Sequence, residues 1–230
     1  MEQSGTSTLL QGVVQDLASG VASALRGGGH APLPGEALND RADGVTLAAV
    51  RVLGADLLLP YVLSGTAPPA HELATVHTAA QAFAPRPDAA PAVAWSHWGM
   101  MRALRRVDPA FGGPAPAEPG TDWLSREPWQ GLTHRLAVLA PLAVPGEDSA
   151  VSRGAQERVV DLSRGFVRAV RRRDWRQAAG AGRWLALLEG VPETLGLDAG
   201  LDFVELMADG DACVALQVGA ARLMLTGVAA

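Results

Sequence analysis

Residues 45–63 read VTLAAVRVLGADLLLPYVL, an apolar stretch that Arg51 and Asp56 interrupt. Polar residues between 39 and 43 can cap a helix that continues to about Leu63. Because apolar side chains cover nearly the whole circumference of this helix, we expect it to be central and buried. We do not expect it to cross a membrane, since a span needs about 20 apolar residues without interruption.

Amphipathic helices are predicted on both sides of this central helix. Leu10, Leu17 and Val21 belong to an apolar series with three- and four-residue spacing, which predicts a helix over residues 8–26. The same spacing, bounded by prolines and glycines, predicts further helices over residues 68–84, 92–107, 128–140, 151–172 and 174–189. The predicted fold class is therefore mainly α, with about seven or eight helices.

The predicted helices are expected to form one compact domain over residues 1–230, because this length suits a single core. Residues 109–120 are rich in proline, glycine and alanine and are the best linker in the chain. Since this segment is short, we interpret it as a surface loop within the domain rather than as a domain boundary.

The C-terminal region, residues 201–225, has two interpretations. Asp209-Gly210-Asp211 separates two apolar runs, which is typical of a β-hairpin turn. Val214, Leu216 and Val218 alternate with smaller or polar residues, as in a half-buried strand. A small β-hairpin is the preferred interpretation, and a helix that begins at Asp211 is the alternative.

The composition limits the classes of function. The formal net charge of −5 argues against a general nucleic-acid binder, which is usually basic. The single cysteine, Cys213, excludes an intramolecular disulfide and fits a cytoplasmic protein, and residues 1–3 do not resemble the start of a secretory signal. All cationic side chains are arginine and isoleucine is absent, a bias that indicates a GC-rich genome such as that of an actinobacterium.

Asp56 and Pro60 make the central helix a candidate site. Asp56 shares a face with apolar residues, where an unpaired carboxylate would be costly. Pro60 has no N–H for the Asp56 carbonyl and is expected to kink the helix there. A carboxylate beside a freed carbonyl is consistent with a catalytic acid or base; the alternative is an ordinary helix end with Asp56 in a structural ion pair.

The second candidate is Trp95-Ser96-His97-Trp98. His97 falls on the apolar stripe of its helix, so we expect it to face the interior between the two tryptophans. There it can act as a second proton-transfer group, with Trp95 and Trp98 as an apolar wall for a substrate. A core histidine that bonds a backbone carbonyl is the alternative. His77 and Arg51 are further candidates for substrate binding.

No metal or cofactor is expected. His71 and His77 are six residues apart, whereas two ligands on one helical face need a separation of three or four. The chain has neither a phosphate-binding loop nor a dinucleotide-binding fingerprint, and it has no serine-hydrolase motif.

Arginines of the long predicted helix form the third candidate. Arg164 and Arg168 fall on the side away from the apolar face, within an arginine-rich stretch over residues 158–176. Such a face can hold a phosphate, sulfate or carboxylate, or an acidic helix of a protein partner. The preferred interpretation is a solvated surface on which Glu157 and Asp161 form ordinary pairs with Arg164 and Arg168.

Two functions are consistent with these features. The first is an enzyme of actinobacterial specialised metabolism that acts on a small anionic intermediate without metal or nucleotide cofactor. Asp56 and His97 would be its catalytic groups. The second is a non-catalytic protein, such as an accessory subunit, a partner of a carrier protein or a self-resistance binder. An oligomer is compatible with both.

Overall fold

A computed structural model describes residues 2–27, 44–108, 110–111 and 115–227. All regular secondary structure in these ranges is helical, which confirms the prediction of a mainly α fold. The capping residues predicted between 39 and 43 lie outside the described residues.

The chain divides into two compact units, Met1–Ala117 and Glu118–Ala230. The division falls inside the segment 109–120, of which only part is described. The interpretation of this segment as a loop within one domain stays a prediction.

The first unit is built around the segment that contains Asp56. Its helices are α1 (Glu2–Arg26), α2 (Gly44–Leu53), α3 (Leu59–Ser64), α4 (Ala70–Ala82) and α5 (Pro91–Val107). Helix α2 packs against α1 and α4, and α5 packs against the 3-10 segment Gly54–Leu58. This 3-10 segment is fully buried, so the predicted central position of residues 45–63 is confirmed for its middle part.

The central helix is interrupted at Gly54 rather than kinked at Pro60. Gly54 has a φ of +57°, a left-handed conformation that glycine adopts at little cost and that ends α2. Pro60 lies in the first turn of α3, where its missing N–H removes no helical hydrogen bond. The prediction that the Asp56 carbonyl oxygen lacks a helical partner is wrong, because that oxygen accepts a hydrogen bond from the Leu59 N–H.

Residues Gly44–Ser64, taken together, are long and apolar enough to cross a membrane by length and composition. In the fold, 61% of the most apolar window of this segment is buried against the rest of the protein, as is typical of a core helix.

The second unit surrounds α10 (Trp175–Leu185). Its other helices are α6 (Asp122–Arg126), α7 (Trp129–Val138), α8 (Ala150–Glu157), α9 (Val159–Arg171), α11 (Leu197–Met207) and α12 (Ala212–Leu225). Helix α10 contacts α7, α9, α11 and α12, and its residues 178–185 are all buried. Gly180 allows this packing, since a Cβ there would lie 2.6 Å from the carbonyl oxygen of Ala137 in α7.

The long helix predicted over residues 151–172 is two helices, α8 and α9, separated at Arg158. The Arg158 guanidinium donates hydrogen bonds to the carbonyl oxygens of Leu124 and Glu127, and it pairs with Asp161. These bonds hold the break between α8 and α9 against α6 and the residue that follows it. The interruptions at Gly54 and Arg158 make the helices shorter and more numerous than predicted.

The preferred interpretation of residues 201–225 as a β-hairpin is wrong, and the alternative helix from Asp211 is correct. The Asp211 carboxylate accepts a hydrogen bond from the Cys213 N–H and caps α12. Asp209 and Gly210 both have positive φ, so they form a tight turn between two helices instead of between two strands. The alternation of apolar residues in α12 arises because it is buried on several sides, including Val214, Leu216 and Val218.

Candidate functional site

The outer face of α9 combines apolar and cationic side chains. Helical spacing of three and four residues brings Val160, Arg164, Val167, Arg168 and Arg171 to one side of the helix, and all five are exposed. The opposite side, with Leu162 and Phe166, is buried in the second unit.

This face forms one wall of a groove of about 830 Å³. Trp129, the first residue of α7, contributes to a second part of the wall. Pro192, Thr194 and Leu195 complete it; the last two belong to the short 3-10 segment before α11. Arg172, which follows α9, brings the number of arginines that line the groove to four. We call this feature the arginine groove; its lining residues are Trp129, Val160, Ser163, Arg164, Val167, Arg168, Arg171, Arg172, Pro192, Thr194 and Leu195.

The cationic charge of the arginine groove is only partly neutralised. Arg164 lies 3.7 Å from a carboxylate oxygen of Asp161, which also pairs with Arg158. Among the described residues, no carboxylate lies within ion-pair distance of Arg168, Arg171 or Arg172. Of the two arginines predicted to pair with Glu157 and Asp161, Arg164 lies near Asp161, whereas Arg168 has no carboxylate partner among the described residues.

Trp129 and Arg168 form a cation–π contact, with the guanidinium carbon 5.5 Å from the ring centroid. This contact holds an otherwise flexible side chain along the wall of the groove. A guanidinium binds carboxylate, phosphate or sulfonate through paired N–H donors, and the indole offers an apolar surface next to it. The groove can therefore bind an anionic head and an apolar body at the same time.

The predicted binding residues Arg164 and Arg168 both line this groove. No pattern in the sequence indicates Trp129, Thr194 or Leu195 as binding residues. No local pattern joins them to α9, because they are brought to it by packing of α7 and by the connection that follows α10. Only the basic face of α9 could be predicted from the sequence.

In the first unit, His97 is half-buried on α5 and its Nε2 lies 3.2 Å from the carbonyl oxygen of Ala80. In the neutral tautomer with hydrogen on Nε2, the ring donates this bond. Burial lowers the pKa of His97, the bond to Ala80 opposes that effect, and the charge of Arg51 lowers the pKa further. This geometry corresponds to the alternative interpretation of His97 as a core histidine that bonds a backbone carbonyl.

Arg51 joins three helices. Its guanidinium donates to the hydroxyl of Ser96 at 3.0 Å and to the carbonyl oxygens of Val93 and Phe83. Through Ser96 it lies beside His97, so the structure brings these two predicted site residues together. The bonds connect α2 to the end of α4 and to the first turn of α5, which gives Arg51 a structural role in the observed state.

Asp56 is 1% exposed and lies in the 3-10 segment that packs on α5. On α5, Trp95 and Trp98 form an edge-to-face pair with ring centroids 5.1 Å apart. The Trp98 indole N–H donates to the carbonyl oxygen of Pro116 at 3.1 Å. These side chains belong to the interior of the first unit, where a ligand reaches them only if the packing opens.

His77 lies beside Phe111, with an edge-to-face ring distance of 5.0 Å, and its Nε2 bonds the side chain of Gln81. It borders a separate cavity of about 500 Å³ together with Arg105 and Asp108.

A buried polar pair that the sequence analysis missed also lies in the first unit. The Tyr61 hydroxyl donates to a carboxylate oxygen of Glu72 at 2.8 Å, and Glu72 is buried. Burial raises the pKa of Tyr61, and the bond and charge of Glu72 act in the same direction. Nothing in the local sequence distinguishes Glu72 from an exposed helical glutamate.

The predicted site residues thus belong to two units. Arg164 and Arg168 lie in the second, and Arg51, Asp56, His77, Trp95, His97 and Trp98 lie in the first. Within the described ranges, no three His, Cys, Asp or Glu side chains are placed to hold a metal ion together. Comparison with known proteins finds no matching family model, no similar curated protein and no similar solved structure.

Proposed function

We propose that the chain is a non-catalytic binding protein that holds an anionic ligand with an apolar body in the arginine groove. One observation supports this function above others. Four arginines, three without a carboxylate partner among the described residues, line the same concave surface as Trp129 and two exposed valines. The volume of about 830 Å³ lies in the usual range for small-molecule sites.

The lining of the groove favours binding over catalysis. Its described residues include no histidine, cysteine, tyrosine or carboxylate that could transfer a proton or attack a substrate. The Ser163 hydroxyl donates to the Val159 carbonyl oxygen in the preceding turn of α9, an ordinary helical bond. Arginine, threonine and apolar side chains can orient a ligand without changing it.

The test is a set of ligands that share one alkyl chain and differ in the head group: decyl phosphate, decanoate, decanol and decyltrimethylammonium. Titration calorimetry is expected to give binding of the two anions, weaker binding of the alcohol and none of the cation. Added salt should weaken the binding of the anions, because part of it is electrostatic. Equal binding of all four compounds would exclude the arginines as the recognition element.

A variant pair locates the site. Arg168→Gln removes a cation from the groove, whereas Arg126→Gln removes one from α6, where it pairs with Asp122 at the surface. Both variants change the net charge equally. Weaker decyl phosphate binding is expected for Arg168→Gln only, by about tenfold for the loss of one charge-assisted bond. The same loss in both variants would point to a general charge effect.

The enzyme hypothesis is a second proposal, with Asp56 and His97 in their predicted catalytic roles. It is supported by the packing of α5, which carries His97, against the segment that carries Asp56. The near-complete burial of Asp56 weighs against direct contact with a substrate. An activity that survives in a folded Asp56→Asn variant would remove Asp56 from the mechanism.

A further inference from the structure

Helix α11 has an outer face that combines exposed apolar and acidic side chains. Phe203, Leu206 and Met207 are exposed, Leu206 by 77%, while Leu201 and Val204 of the same helix are buried. Asp198 and Asp202 are also exposed, and α11 contains no cationic residue. We call the set Asp198, Asp202, Phe203, Leu206 and Met207 the acidic stripe.

Intramolecular pairs neutralise only part of this charge. Arg222 of α12 pairs with Asp202 and Glu205, at 2.5 and 2.6 Å. Within the described part of the chain, no arginine lies within ion-pair distance of Asp198 or Asp209. The acidic stripe therefore presents negative charge next to exposed apolar surface.

The acidic stripe and the arginine groove are complementary in composition and in length. The groove offers cations around Val160, Val167 and Trp129, and the stripe offers carboxylates around Phe203 and Leu206. At about 1.5 Å per residue, α11 is about 16 Å long and the groove-lining part of α9 is about 18 Å long. Leu206 and Met207 follow Phe203 by three and four residues, so all three lie on one side of α11. A helix with apolar residues at this spacing is a common occupant of an apolar groove.

We propose that the arginine groove of one copy of this chain binds the acidic stripe of a second copy. Both surfaces belong to the second unit, so a two-fold axis makes the contact reciprocal, with each α11 in the groove of the other copy. Reciprocity doubles the buried area and closes the assembly as a dimer instead of leaving it to grow as a filament. The contact covers exposed apolar residues on both surfaces at once.

This proposal concerns the same groove as the proposed function, and it rests on that function for one consequence only. If an amphipathic anion occupies the arginine groove, it competes with the acidic stripe for the same arginines. The dimer is then the form without ligand, and an anion such as decyl phosphate dissociates it. The dimer itself requires no ligand.

The first experiment measures self-association of the full chain by sedimentation velocity, without ligand, over a wide range of protein concentrations. The wild-type chain is expected to form a dimer, and salt is expected to weaken it. Leu206→Ser should weaken dimerisation by at least about tenfold, since one apolar side chain leaves each of the two contacts. Leu9→Ser changes a comparably exposed leucine of α1 and should leave the dimer unchanged.

The second experiment uses charge reversal. In the groove variant, Arg168→Glu and Arg172→Glu replace cations, and in the helix variant, Asp198→Arg and Asp202→Arg replace carboxylates. Each variant alone is expected to be monomeric, because like charges face each other across both contacts. In a reciprocal dimer, one copy of each variant restores opposite charges at both contacts, so an equimolar mixture should form a heterodimer. Circular dichroism melting of each variant confirms that it is folded.

The outcomes separate the two proposals. A wild-type monomer that binds decyl phosphate overturns the dimer and leaves the proposed function intact. A dimer that the groove variant abolishes, in a chain that binds no anion, supports the dimer and contradicts the proposed function. A dimer that survives both charge-reversal variants in folded form overturns the dimer geometry proposed here.

Discussion

Small residues decide how closely the helices of the second unit approach each other. At Gly180, the nearest atoms to an added Cβ belong to the backbone of Ala137, which cannot move aside as a flexible side chain can. At Gly165, an added Cβ would overlap the side chain of Thr133. The close approaches at Gly180 and Gly165 pack α7 against α10 and α9. This packing therefore requires that neither position carries a side chain.

Gly180→Ala is expected to destabilise the protein by at least about 2 kcal/mol, because the methyl group forces α10 away from α7. Gly219→Ala is the matched control, since no atom lies within 4 Å of its Cβ position on α12. It should stabilise the protein by about 0.5–1 kcal/mol through helix propensity. Urea unfolding measures both. A similar effect of the two substitutions would contradict the close approach at Gly180.

His97 makes the stability of the first unit depend on pH. Its pKa in the folded state is lowered below the unfolded value of about 6.5, so the unfolded chain binds more protons between these two values. The free energy of unfolding therefore falls as the pH drops below about 6.5. In His97→Gln this loss should be smaller between about pH 7 and about pH 5. Equal pH profiles for wild type and variant would show that His97 is not the responsible group.

The residue scale also shows what local pattern predicts and what it does not. Helical spacing put His97 on a stripe with Met100 and Leu104; those two are buried, whereas His97 is half-buried. The partners of Arg51, on α4 and α5, could not be predicted, since they are set by the packing of distant segments. The same applies to the bond between Tyr61 and Glu72.

At the scale of elements, the start of α12 depends on one side chain. The Asp211 carboxylate caps the helix through the Cys213 N–H and also pairs with Arg176 at the surface. Asp211→Ala is expected to cost about 1 kcal/mol of unfolding free energy, whereas Asp211→Asn keeps a capping oxygen and should cost only a few tenths. Chemical denaturation distinguishes them. Equal losses would assign the effect to the ion pair with Arg176 instead of the cap.

Prolines mark the ends of α4 and α5 in the sequence, and these ends lie within about two residues of the prediction. Other predicted boundaries are further off, since α1 begins at Glu2 instead of residue 8 and α10 ends at Leu185 instead of residue 189. Gly54 ends α2 through its left-handed conformation, but a single glycine is tolerated inside a helix and does not by itself predict an end. Residues 201–225 were ambiguous because a helix buried on several sides has no clear period.

At the scale of the whole molecule, the chain divides between Ala117 and Glu118 into two units of ordinary domain size. A fragment of residues 118–230 is expected to fold alone, because its helices share a core around Trp184 and Leu185 of α10. Calorimetry should show a single cooperative transition for this fragment, and its far-ultraviolet circular dichroism should be helical. A fragment that is unfolded in isolation would show that its core depends on residues 1–117.

The candidate site could be predicted from sequence only as one face of one helix. The basic face of α9 follows from spacing, and Arg164 and Arg168 were identified in this way. The concave shape of the groove could not be predicted, because it needs Trp129 and Leu195, which other parts of the second unit bring to α9. Concavity is a property of the assembled unit.

The close packing of α7, α9 and α10 has a consequence for the order of folding. Helices α9 and α10 are neighbours along the chain, so their contacts close a short loop and form early in folding. The contact between Gly180 and Ala137 joins α10 to α7 across the intervening α8 and α9, so it closes a longer loop and forms later. Gly180→Ala would then accelerate unfolding more than it slows refolding. The arginine groove, whose wall includes Trp129 of α7, would be completed only after α7 has packed on α9 and α10.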